Sequence, residues 1–142
     1  MRQRLKPGRL VKHRLRSLDL SSKSDVNGIQ LLRESLPEWV EIVNVVDKSK
    51  QQILELQIDK GESSAIALAM EIPDSTIILD DYKARKIAHQ LGLSYTGTIG
   101  VIVKAKLRGL IPSISPILNK IKQTNFRLTE ELELQALKQS GE

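Results

Sequence analysis

Two adjacent carboxylates, Asp80 and Asp81, follow a short apolar run at residues 77–79, and a helix-like segment, "YKARKIA", begins directly after them. In an open α/β sheet, ligands bind beyond the carboxyl ends of the strands. Successive strand residues point to opposite faces, so one of the two acids is expected to face that crevice. The other is expected to cap the helix that begins near Tyr82.

A third carboxylate, Glu62, stands at the start of the predicted helix that leads into this strand. Parallel strands put the starts of such helices on one side of the sheet, so Glu62 and Asp81 are expected to approach each other. Converging carboxylates favour a hard cation such as Mg²⁺ or Mn²⁺, whose bound water can attack a phosphodiester. The alternative is structural, because Glu62 also fits a capping box with Asp59.

The segment "TGTIG", residues 96–100, places two hydroxyls and two glycines at a predicted helix start. Free N–H groups there could meet a phosphate, although a tight strand-to-helix turn explains the pattern equally well. The basic residues that follow, including Lys104, fit the solvent-exposed face of that helix. The chain has no glycine-rich phosphate loop, and its few aromatic residues do not make a base-stacking platform.

The elements that must position these residues alternate between strands and helices, which predicts an α/β fold with a parallel sheet. The predicted elements are a short helix from residue 29 that breaks at Pro37, a strand at 39–46, a helix at 48–58, a helix at 65–72 after an N-cap at Asp59, a strand at 75–79, a helix at 82–91, a strand at 93–95, a helix at 99–108 capped by Thr98, a helix after Pro112, and a helix at 130–138 capped by Thr129.

The net charge of +5 comes from the N-terminal part of the chain, since residues 1–24 hold eight of the 22 basic side chains and one of the 17 acidic ones. The remainder, with 14 basic and 16 acidic residues, is nearly neutral. Residues 1–28 are therefore predicted to be a basic, disordered extension that could attract RNA, DNA or an acidic partner by charge. The 142 residues contain no cysteine, no secretory signal and no membrane span, which favours a cytoplasmic protein.

From about residue 36 onward, the chain resembles the PIN-domain-like proteins of prokaryotes, and most closely an uncharacterised branch related to the toxin ribonucleases of toxin–antitoxin pairs. The segments "LQIDKGESSAIALAMEI", "STIILDDYKARKIAHQLGL" and "TGTIGVIVKAKLRGLIPSI" carry the resemblance. It implies a three-layer α/β/α fold with a parallel central sheet. It also implies an acidic site that cleaves single-stranded RNA with Mg²⁺ or Mn²⁺.

The resemblance assigns the catalytic roles to Glu62 and Asp81, and the metal to the same two residues with Asp80. Thr96 or Thr98 stands near the last acidic position of the family. The residues expected to contact RNA are Lys83, Arg85, Thr96, Thr98 and Lys104. The partners that follow from the resemblance are RNA, a cognate antitoxin and a second copy of the chain.

The chain departs from the family at its front, where a PIN domain opens with an apolar strand that ends in an aspartate. No such strand precedes residue 36, so residues 29–142 are predicted to form an incomplete PIN-like domain with an impaired active site. In an active enzyme, Asp19 or Asp25 would have to supply the missing ligand. The alternatives are a non-catalytic module that binds RNA or an antitoxin, and a misassigned start of the reading frame.

Overall fold

The computed structural model describes residue 37 and residues 40–142. The predicted basic extension at 1–28 lies outside the described residues, as do the predicted helix from residue 29 and both candidate ligands from the front of the chain, Asp19 and Asp25.

Helices dominate the described part of the chain, and two short strands pair in a small parallel sheet. The elements in chain order are α1 (Lys48–Glu55), α2 (Lys60–Glu71), β1 (Thr76–Ile78), α3 (Tyr82–Gln90), β2 (Ser94–Thr96), α4 (Thr98–Leu107), α5 (Ser115–Lys122) and α6 (Glu130–Ser140). The predicted α/β class is confirmed, and every helix and strand expected after residue 47 is present.

The strand predicted at 39–46 is wrong for the described residues 40–46, which adopt no regular secondary structure. The backbone N–H groups of Val46 and Asp47 donate to the carboxylate of Glu71, at 3.1 and 2.8 Å, instead of to a neighbouring strand. These hydrogen bonds lower the pKa of Glu71. Asp47 then caps α1 by accepting from the N–H of Ser49, so the segment is anchored as the approach to a helix.

The chain divides into two compact units, Met1–Tyr95 and Thr96–Glu142. In the first unit, α2 is buried along residues 63–69, and its alanines combine high helix propensity with small volume. They pack in one cluster with Ile77 and Leu79 around β1 and with Ala84 and Ala88 of α3. This cluster holds the starts of α2 and α3 in place.

The second unit contains α4, α5 and α6, whose core consists of Ile99, Val103, Ile114, Leu118 and Ala136. The predicted cap at Thr129 is confirmed, since its hydroxyl accepts from the N–H of Leu132 at 3.2 Å. No helix in the described part of the chain is long and apolar enough to cross a membrane.

Candidate functional site

Asp81 lies just beyond β1 and is the N-cap residue of α3. Its Oδ2 accepts a hydrogen bond of 2.8 Å from the N–H of Ala84. Ala84 is itself fully buried in the core cluster of the first unit. The expectation that one of the two aspartates caps this helix is therefore confirmed for Asp81, and its carboxylate is held in a defined position at the end of the strand.

Asp80 lies beside the guanidinium of Arg85, with 3.7 Å between Oδ1 and Nη2. The same arginine donates from Nε to the carbonyl oxygen of Leu79 at 2.8 Å. Arg85 thus satisfies the last carbonyl before the acidic pair and balances the charge of Asp80. It was expected to contact RNA, but in this structure it is engaged within the protein.

Glu62 occupies the first turn of α2 and is half-buried. The capping box expected with Asp59 is not formed, because Asp59 stands at the N-cap position and its side chain makes no capping hydrogen bond. The carbonyl of Asp59 instead accepts from the hydroxyl of Ser63 at 2.8 Å. Among the described residues, Glu62 has no hydrogen bond and no ion pair, so its carboxylate remains available for a ligand.

Both acids lie near the start of a helix that packs into one core. Asp81 is the N-cap residue of α3 and Glu62 is the third residue of α2, and each precedes an alanine of its helix by three residues. Ala65 and Ala84 are 4% and 0% exposed and belong to the same hydrophobic cluster. The sequence at both helix starts therefore anchors an acid to this cluster.

The oxygen donors fit Mg²⁺ or Mn²⁺ in type, since Mg²⁺ is commonly bound by one or two carboxylates together with waters and substrate phosphates. Glu62 offers a carboxylate without a partner, and Asp81 uses one oxygen for its cap. Within residues 40–142, however, no three His, Cys, Asp or Glu side chains form a group that could hold a metal ion. The described part of the chain thus supplies two candidate ligands and no group of three.

The two lysines expected to contact RNA differ in their surroundings. Lys83 is exposed in the first turn of α3, and its Nζ donates to the carbonyl of Gln57 at 3.3 Å. Lys104 is exposed on α4 and makes no side-chain hydrogen bond or ion pair with the described residues. Lys106, two residues further on, is not a free surface charge, since its Nζ contacts the carbonyl of Pro112 and the carboxylate of Glu142.

The "TGTIG" turn joins β2 to α4. The predicted cap at Thr98 is wrong: Gly97 is the N-cap residue, with extended backbone angles, and Thr98 is the first residue of the helix. A glycine offers no side chain to cap the helix. Thr96 is half-buried at the end of β2, with its hydroxyl 3.5 Å from the carbonyl of Gly97. Its Oγ1 lies directly beside Gly100, a contact that the spacing of four residues could have suggested.

Two roles were not predicted from the sequence. Arg85 is the partner of Leu79 and Asp80, six and five residues before it, and these separations do not follow the helical spacing of three or four residues. The carboxylate of Glu142 accepts from both the hydroxyl of Ser113 and the N–H of Ile114. The separation of 28 residues between Glu142 and Ile114 leaves no local pattern to detect.

A comparison with protein-family models matches residues 20–142 of the chain to a PIN-domain family. No curated protein and no solved structure was found to match the chain. The family match includes α2, β1, α3 and the "TGTIG" turn, and it covers well over half of the sequence. The chain therefore belongs to the PIN-domain family.

Proposed function

We propose that this protein is a PIN domain related to the Mg²⁺- or Mn²⁺-dependent endoribonucleases that cleave single-stranded RNA, with an impaired active site. We further propose that the complete domain has the three-layer α/β/α arrangement with a parallel central sheet. We also propose that the protein is related to the toxins of toxin–antitoxin pairs and acts in the cytoplasm. A cognate antitoxin and a second copy of the chain are its proposed protein partners.

The observation that carries the proposal is the common anchoring of Glu62 and Asp81. Both lie near the start of a helix that packs on one alanine-rich core, Glu62 in the first turn of α2 and Asp81 at the N-cap of α3, and Asp81 is fixed at the carboxyl end of β1 by its 2.8 Å bond from Ala84. The half-buried carboxylate of Glu62 has no partner within the described residues. The free carboxylate of Glu62 and the second oxygen of Asp81 are the donors that we propose for a cation.

Glu62 and Asp81 are the proposed metal ligands, and Asp80 is a weaker candidate because Arg85 already balances its charge. A bound Mg²⁺ or Mn²⁺ would supply a water of lowered pKa and a positive charge beside the scissile phosphate. Arg85 positions the strand end through its bond to the carbonyl of Leu79. The hydroxyl of Thr96 and the exposed ammonium of Lys104 are proposed to contact the RNA.

We infer impairment from a missing ligand, because the aspartate that ends the opening strand of a PIN domain is not found among the described residues. A site with two carboxylates balances less positive charge than a site with three, so the cation should be held more weakly and cleavage should be slower. A third acid from the front of the chain would remove this limit, and Asp19 and Asp25 are the candidates for that role.

The test is cleavage of a fluorescent single-stranded RNA by the full chain with Mn²⁺, compared among the wild type and the Asp81→Asn, Asp19→Asn and Asp25→Asn variants. The proposal expects slow, metal-dependent cleavage by the wild type, lost in Asp81→Asn and unchanged in the other two. Rapid cleavage that disappears in Asp19→Asn or Asp25→Asn would show a complete site and contradict the impairment. Cleavage that survives Asp81→Asn would contradict the proposed site itself.

A second candidate is a non-catalytic module that binds an antitoxin or RNA. The observation that favours it is the exposed apolar surface of the first unit near α1, where Val46, Ile53 and Leu56 are 86%, 63% and 84% exposed. Side chains of this kind are common in protein interfaces. RNA binding without any cleavage, weakened by salt and abolished by deletion of residues 1–24, would support this alternative.

A further inference from the structure

Gly100 lies in the first turn of α4 against the side chain of Thr96. A Cβ added to Gly100 would stand 2.6 Å from Oγ1 of Thr96 and 3.9 Å from its Cβ. A Cβ atom does not lie within 3.0 Å of such a neighbouring atom in real structures, so an alanine at position 100 would require the neighbouring atoms to shift. The two residues belong to the same compact unit.

The contact is selective, because Thr96 is the sole neighbour within 4 Å of that added atom once the adjacent residues and the helix backbone are set aside. A methyl group at Gly100 would therefore act on Thr96 alone. Thr96 is β-branched, with few allowed side-chain rotamers, so its hydroxyl would have to turn to another rotamer. This rotation would break the contact of the Thr96 hydroxyl with the carbonyl of Gly97.

The backbone of Gly100 does not itself require glycine. Gly100 is an ordinary helical residue and is not among the glycines with positive φ, which in the described part of the chain are Gly92, Gly109 and Gly141. Glycine is unfavourable inside a helix compared with alanine. The space occupied by the Thr96 hydroxyl is thus the reason that the structure offers for a glycine at this position.

We propose that Gly100 is a positioning residue, which keeps the Thr96 hydroxyl in the orientation that contacts the RNA. The inference rests on the proposed function, because the contact of Thr96 with RNA is part of that proposal. It goes beyond that function by assigning a role to a residue that has no chemistry of its own.

The experiment is a double-mutant cycle on the full chain with Thr96→Ala, Gly100→Ala and the pair combined. Three quantities are measured: the Kd for a fluorescent single-stranded RNA with Mn²⁺, the thermal midpoint, and the χ1 rotamer of Thr96 from NMR three-bond couplings. Gly61→Ala is the matched control for the helix effect, because a Cβ at Gly61, also in the first turn of a helix, meets open space.

Loss of one hydrogen bond predicts a Kd raised roughly threefold to tenfold in Thr96→Ala. Gly100→Ala should raise Kd to a similar extent, turn the Thr96 rotamer and leave the thermal midpoint unchanged or higher, as Gly61→Ala does. The combined variant should bind RNA no more weakly than Thr96→Ala, since Gly100 acts only through Thr96.

Wild-type RNA affinity in Gly100→Ala, or an equal loss of affinity when the change is made in the Thr96→Ala background, would overturn the inference. A wild-type protein that neither binds nor cleaves RNA would overturn the proposed function, and with it the contact of Thr96 with RNA. In that case an unchanged Thr96 rotamer in Gly100→Ala would also refute the positioning itself, and a turned rotamer would leave the positioning supported without an RNA role.

Discussion

The carboxylate of Asp81 accepts a hydrogen bond of 2.8 Å from the backbone N–H of Ala84, and Ala84 is fully buried. One oxygen of the proposed metal ligand is therefore used to start helix α3. Asp81 therefore contributes both to the stability of the helix start and to the proposed metal site, and experiments with Asp81 variants have to distinguish these two effects.

Asp81→Ala should lower the free energy of unfolding by about 1 kcal/mol, because it removes the N-cap. Asp81→Asn should cost much less, since asparagine caps helices as well as aspartate does. Urea unfolding of the two variants measures the difference. Equal losses of stability in both variants would mean that the negative charge, and not the cap, stabilises the helix start.

Arg85 is expected to stabilise the turn between β1 and α3. Arg85→Gln removes the hydrogen bond to the carbonyl of Leu79 and the ion pair with Asp80. We expect a loss of about 1 kcal/mol in the free energy of unfolding, most of it from the hydrogen bond, since a partly exposed ion pair contributes little.

The matched control for Arg85 is Lys86→Gln. Lys86 is the next residue of the same helix, is exposed and has no side-chain hydrogen bond or ion pair with the described residues. It should unfold at nearly the wild-type urea concentration. A similar loss of stability in the two variants would assign the effect to net charge and would contradict the role given to the hydrogen bond with Leu79.

The hydrogen bonds of Glu142 predict that the stability of the second unit depends on pH in the acidic range. Hydrogen bonds from the hydroxyl of Ser113, the N–H of Ile114 and the hydroxyl of Ser115 lower its pKa from 4.5 to about 2. A carboxyl whose pKa is lowered by folding stabilises the folded state above its unfolded pKa. That contribution is lost as the pH falls from about 4.5 towards 2.

Glu142→Gln should therefore be less stable than the wild type in urea at pH 7, and the difference should shrink below pH 4.5. Glu131→Gln is the control, since Glu131 is an exposed acid of α6 whose side chain makes no hydrogen bond or ion pair with the described residues. A gap between wild type and Glu142→Gln that stays constant from pH 7 to pH 2.5 would contradict the assigned hydrogen bonds.

The sequence predicts those parts of the fold that depend on local patterns. The apolar residues Ala84, Ile87, Ala88 and Leu91 recur at helical spacing and predict α3, and Gly92, with φ of 68°, follows the predicted helix. Thr129 predicts the start of α6 correctly, because an N-cap acts within one turn of its helix. Elements of this kind need no knowledge of distant partners.

One of the errors concerns a contact between distant residues. The segment at 40–46 has strand-like composition, but Glu71, about 25 residues away, supplies the acceptors for its backbone N–H groups. The capping box of Asp59 and Glu62 is a local error instead, since Asp59 stands at the N-cap position but its side chain makes no capping hydrogen bond. For the candidate site, the sequence indicated the acids and the cap of α3, whereas the ion pair between Asp80 and Arg85 required coordinates.

The central claim is that Glu62 and Asp81 bind one divalent cation together, and calorimetric titration of the full chain with Mn²⁺ tests it most directly. Glu41→Gln is the control, because Glu41 is an exposed acid of the same unit whose side chain makes no hydrogen bond or ion pair with the described residues. The account predicts weak binding by the wild type and by Glu41→Gln, and none by Glu62→Gln or Asp81→Asn. Unchanged Mn²⁺ affinity in Glu62→Gln would contradict it.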